Sequence, residues 1–151
     1  MSTQSLNTNW SKAKEIGMPR GAYHFFTFCS PGKLQAELFT KVLNGLFSAK
    51  DLRPVIDIEY GGNCKKRLPS EILFRELDDF LEVIRSHSIQ DPILYITQEI
   101  YYDYFEKKEP EFSFWIRSIA KKPPAEIPYI IWQYSNFSLP RRFKAEWIKT
   151  Y

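Results

Sequence analysis

Two carboxylates stand two positions apart in Arg53-Pro54-Val55-Ile56-Asp57-Ile58-Glu59-Tyr60-Gly61-Gly62, a short apolar run that stops at a glycine pair. Such a run predicts a buried strand. Side chains alternate along a strand, so Val55, Asp57 and Glu59 share one face, and Pro54, Ile56 and Ile58 share the other. Acids on an apolar strand are costly unless they have partners or work. The work open to such a pair is acid–base chemistry, with one group protonated and the other charged. Two plainer readings stand beside it. The pair could be held by Lys or Arg at a sheet edge, or it could bind Mg²⁺ or Ca²⁺, although no further acidic cluster converges nearby in the sequence.

The elements that position the pair follow from periodicity and punctuation. Trp10, Ala13 and Ile16 recur at helical spacing, and Gly17 suits the residue after a helix end. Gly21-Ala22-Tyr23-His24-Phe25-Phe26 predicts a strand from its aromatics. Ser30-Pro31 then opens a helix, with Ser30 as cap and a stripe of Leu34, Leu38, Phe39, Val42, Leu43, Leu46 and Phe47. After the acidic strand and a polar loop, Pro69-Ser70-Glu71 opens a second helix with Ile72, Leu73, Leu77, Phe80, Leu81 and Ile84 on one side. Ile93 to Thr97 predicts a strand, residues near Glu99 to Phe105 a short helix, and Phe112 to Ile119 and Tyr129 to Tyr134 two more strands. The tail from Ser138 reads as basic and irregular. Strands alternating with helices imply βαβ units and a parallel sheet, open or closed into a barrel. No glycine-rich phosphate fingerprint follows any strand, which disfavours a nucleotide-binding open sheet. In barrels the chemistry sits at the C-terminal ends of the strands, where Asp57 and Glu59 fall.

The totals set bounds. A chain of 151 residues is expected to form a single domain, 1–151. A formal charge of +3 is too mild to argue for nucleic acid. The basic runs Lys65-Lys66-Arg67, Lys107-Lys108, Lys121-Lys122 and Arg141-Arg142 read as solvated loops. Rings make up 17% of residues, which suits a core and also a stacking surface. Cys29 and Cys64 form no metal-binding pattern, and two free, inert thiols are expected, with a disulfide open only if their loops meet. No apolar run approaches the ~18 residues of a membrane span. No signal peptide is visible at Met1 to Asn7. Localisation is therefore left open.

Taken together, Asn9-Trp10 with Ala13, Gly21 to Phe26, Pro54 to Glu59, Pro92-Ile93-Leu94-Tyr95-Ile96-Thr97, Phe114-Trp115-Ile116 and Trp132-Gln133-Tyr134-Ser135 resemble, in order and spacing, the family 25 glycoside hydrolases. These are the CH-type lysozymes, or N-acetylmuramidases. They cleave the β-1,4 bond between N-acetylmuramic acid and N-acetylglucosamine in peptidoglycan. The match runs from residue 9 to about 140. The resemblance implies an α/β fold, a modified TIM-type barrel of parallel strands with helices outside. It implies Glu59 as general acid and Asp57 as the partner carboxylate of an Asp-x-Glu motif. It implies Tyr23, Tyr95 and Trp132 as rings close to the sugar cleft. Read from their own positions at strand ends, Thr97, Gln133 and Tyr134 could donate polar contacts to a substrate. Peptidoglycan glycan strands are then the expected partner, the cell wall or the outside of the cell the expected site of action, and no cofactor or metal is expected.

Glycoside cleavage needs an acid for the leaving oxygen and a second group that stabilises an oxocarbenium-like transition state or activates water. Residues two apart on a strand span both retaining and inverting separations, and a substrate N-acetyl group oriented by Asp57 is a third route. His24, between rings, reads as a hydrogen-bonded barrel residue. The resemblance also implies two strands ahead of Asn9, where eight residues stand, and an acidic Val-Asp-Leu-Asn-like segment near the other end. The tail reads Arg142-Phe143-Lys144-Ala145-Glu146-Trp147-Ile148, and Glu146 is the acid in that region. The expected domain is thus short at its N-terminus, with uncovered sheet edges through which chains could self-associate. A catalytically impaired, peptidoglycan-binding remnant of the fold is the alternative to an active hydrolase.

Overall fold

Six parallel strands make one sheet in the order β5-β4-β3-β2-β1-β6. They are β1 (Arg20–Phe25), β2 (Val55–Ile58), β3 (Ile93–Thr97), β4 (Ser113–Arg117), β5 (Tyr129–Gln133) and β6 (Glu146–Thr150). Helices α1 (Thr3–Glu15), α2 (Gly32–Leu43), α3 (Ser70–Ser86) and the short α4 (Gln98–Ile100) alternate with them, and a π-helical turn, Tyr101–Phe105, continues α4. This computed structural model describes residues 3–87, 89–107, 112–136 and 146–150. Lys108 and the pair Arg141-Arg142 lie outside the described residues. The architecture is the expected α/β arrangement of parallel strands and helices, and among the described residues no ladder joins β5 to β6.

The strand register sorts side chains into two faces. His24, Ile56, Leu94 and Phe114 form one row, and Ile58, Ile96, Ile116 and Trp132 form the next. Apart from Trp132, every member of both rows is buried. They meet the apolar faces of α2 and α3, where Phe39, Leu43, Leu73, Leu77, Phe80 and Ile84 are buried. Phe80 is the hub, in ring contact with His24, Phe26 and Phe39. The opposite face carries Phe25, Asp57, Tyr95, Trp115 and Ile131 in register.

Helix ends show where local reading held and where it did not. Gly17 has φ +65°, and the bonds Met18 N→Ala13 O and Gly17 N→Lys14 O close α1 in a Schellman motif. Ser30 does not cap α2. The cap position is Pro31, and the Gly32 N–H donates to the Glu76 carboxylate of α3 at 2.7 Å. A Cβ on Gly32 would run into the Glu76 backbone carbonyl, so the close approach of α2 to α3 needs glycine here. Residues 3–8 are the first part of α1, the helix whose end the spacing of Trp10, Ala13 and Ile16 marks. The tail is not wholly irregular, because Glu146–Thr150 pairs in parallel with β1. That pairing is a long-range contact which local propensity does not carry.

Candidate active site

A cavity of about 190 Å³ opens against the face of the sheet away from α2 and α3. Tyr23, Val55, Asp57, Glu59, Tyr95, Trp115 and Gln133 line it. The alternation argued for β2 is therefore seen: Val55, Asp57 and Glu59 reach one space, while Ile56 and Ile58 are fully buried on the other side. Asp57 lies within β2 and is 9% exposed. Glu59 stands just past the strand's last residue, Ile58, at the C-terminal end where parallel α/β sheets place their chemistry. Neighbouring strands add one residue each in register, Tyr95 opposite Asp57 and Trp115 opposite Tyr95, and these two rings meet edge to face at 5.4 Å.

Burial, and then the negative charges of Glu59 and Asp57, push the Tyr95 phenol well above its ordinary range. Tyr95 thus keeps its proton throughout the neutral range and offers a hydrogen-bond donor beside two acids. The site combines carboxylates, a phenol, an indole and an amide, which is a constellation for binding a polar ring and moving a proton. Among the described residues no group of three or more His, Cys, Asp or Glu is placed to hold a metal.

Trp132 does not join the residues that line the cavity. Its register partner is Ile116, on the helix-facing side, and its indole N–H donates to the Ser118 carbonyl at 2.8 Å. Period-2 alternation explains the difference, because Gln133 faces the cavity and its neighbour must then face away. Trp115 is the cavity indole, and parity counted along Phe114-Trp115-Ile116 carried that signal. His24 is buried in the sheet–helix core at 3% exposure, with Nε2 at 3.0 Å from Gln35 Oε1. Desolvation holds its pKa below the usual 6.5, partly offset by that hydrogen bond. Glu146 pairs in register with Arg20, at the N-terminal end of β1 and far along the strand from the row of Asp57. Residues 142–145 lie outside the described residues.

Cys29 and Cys64 are not free thiols but a disulfide, with Cα atoms 6.3 Å apart. The loop after β1 and the loop after β2 leave neighbouring parallel strands at the same end, so cysteines 35 positions apart in sequence meet. The basic run beside Cys64 is also partly engaged, since the Arg67 guanidinium lies over the Tyr60 ring and approaches Glu99 and Asp103.

The model for Glycosyl hydrolases family 25 matches residues 2–139. The chain belongs to this family. It is similar to a family 25 glycosyl hydrolase from Bacillus anthracis, at 39% identity and a TM-score of 0.75, with 87% of this chain and 61% of that one covered. A family 25 lysozyme from Aspergillus fumigatus is 26% identical with a TM-score of 0.67, covering 86% of this chain and 68% of the other. The spore cortex lytic enzyme SleM of Clostridium perfringens, at 22% identity and a TM-score of 0.68, shares the fold over 88% of this chain and 49% of its own. The Escherichia coli K12 protein YegX is 26% identical over 133 residues, which is 87% of this chain and 47% of YegX. The chain thus spans about half the length of the curated relatives it matches.

Proposed function

We propose that this chain carries out lysozyme-type hydrolysis of the β-1,4 bond between N-acetylmuramic acid and N-acetylglucosamine in peptidoglycan, with Glu59 as general acid and Asp57 as partner carboxylate. The observation that carries this is the cavity that gathers Asp57, Glu59, Tyr23, Tyr95, Trp115 and Gln133 in a chain of family 25. The protonated Glu59 gives its proton to the bridging oxygen as the bond from that oxygen to the anomeric carbon breaks. Asp57, the more buried acid, meets the positive charge that develops on the sugar, or orients the N-acetyl oxygen that shields it. Water completes the reaction at the anomeric carbon, and its proton restores Glu59. The rings grip the sugar faces, and the Tyr95 hydroxyl supplies a donor that stays protonated. The Cys29–Cys64 disulfide suits an oxidising setting, such as the outside of a cell where wall glycan lies.

Purified peptidoglycan incubated with the protein should release reducing ends, and the new ends should be N-acetylmuramic acid. New ends that are N-acetylglucosamine would place the cleavage at the other linkage. The alternative is a module of this fold that holds glycan without cutting it. Sedimentation with insoluble peptidoglycan without any reducing-end release selects that reading.

A further inference from the structure

Asn63 is neither an acid nor a ring, yet its side chain is fully engaged beside the candidate acid. Oδ1 accepts from the Phe28 N–H and the Cys64 N–H, both at 3.0 Å. Nδ2 donates to the Phe26 carbonyl at 2.9 Å and to the Glu59 carbonyl at 3.0 Å. A primary amide has two N–H donors and an oxygen with two acceptor sites, so its whole capacity is used. The Asn63 backbone N–H also closes a turn onto the Tyr60 carbonyl at 3.1 Å. These bonds tie the loop after β1, at Phe26 and Phe28, to the loop after β2 that begins at Glu59. The disulfide joins the same two loops one residue later.

We infer that Asn63 is a positioning residue for Glu59, an inference that rests on reading Glu59 as the acid. The β2–β3 ladder ends at the Ile58–Ile96 pair, so Glu59 lies beyond the strand register that fixes Asp57. Past that point its carbonyl is held by Asn63, and Gly62, at φ +75°, lets the chain turn back to make the bond. Phe28 packs edge to face on Tyr60 and braces the same turn. The choice of amide matters. Aspartate at this position would keep the acceptors but lose both donors, and would set a negative charge against the carbonyls of Phe26 and Glu59. The binding rings sit on β1, β3 and β4, inside the ladders, and do not depend on this clasp.

The test compares the parent with Asn63→Asp, Asn63→Ala and Glu59→Gln on purified peptidoglycan, each rate normalised to the folded fraction. A displacement of roughly 1 Å at a catalytic group costs about a hundredfold, so kcat should fall on the order of tenfold to a hundredfold in both Asn63 variants. KM should stay within about twofold, since ground-state contacts are intact. Amide exchange at Phe28 and Cys64 should quicken, while the amides of α3 stay protected. If Asn63→Ala does not fold, Asn63→Ser gives the same comparison. A folded Asn63 variant with the parent's kcat, beside an inactive Glu59→Gln, overturns the inference alone. A Glu59→Gln variant as active as the parent, or a parent without activity, overturns the acid assignment and the inference with it.

Discussion

Trp115 and Trp132 show how one residue's parity decides its role. Trp115 lines the cavity beside Tyr95, and Trp132 anchors β5 to the Ser118 carbonyl on the far face. Trp115→Ala should raise KM for peptidoglycan fragments about tenfold, the equivalent of ~1.4 kcal/mol. Trp132→Phe should leave KM unchanged and lower the urea midpoint. The reverse pattern would restore Trp132 to the cleft. His24 makes a prediction of a different kind. Its pKa is depressed in the fold, chiefly by desolvation, below the 6.5 of an exposed imidazole. As pH falls through that value the unfolded chain takes up a proton that the native chain refuses, so stability present above it is lost below it. Urea midpoints measured from about pH 7.5 to about pH 5 should fall toward acid, and His24→Asn should flatten the slope.

At the scale of elements, the strands that carry the site were legible because their signals are local: alternation at Val55, Asp57 and Glu59, and apolar or aromatic runs at Gly21 to Phe26 and Ile93 to Thr97. The helices α2 and α3 were equally legible from their stripes. Three features were not, each because it depends on a distant partner. The Cys29–Cys64 bond needs β1 and β2 to be adjacent and parallel. The state of β6 needs the free edge of β1. The start of α2 is satisfied by Glu76 from α3 and not by Ser30. Closing a loop of this span is worth about 3–4 kcal/mol in the chain-entropy view, so Cys29→Ser with Cys64→Ser should lower unfolding free energy by up to that amount. Calorimetry of the double variant against the parent checks it. Phe80, which joins α3 to His24, Phe26 and Phe39, should cost about 3–5 kcal/mol when cut to Ala.

For the molecule as a whole, family membership and the parallel α/β architecture agree, and the two acids at the end of β2 stand where such a fold places its chemistry. The described residues ahead of Asn9 are helical, and Glu146 pairs in register with Arg20 at the N-terminal end of β1. The proposed mechanism rests on Asp57 and Glu59 with the rings around them. The direct measurement is lysis of purified cell walls by the parent and by Glu59→Gln, which keeps the shape and removes the proton donor. General acid catalysis contributes about a hundredfold to ten-thousandfold, so the variant should fall by at least that lower figure while still binding the walls. Lysis by Glu59→Gln at the parent's rate would contradict the account.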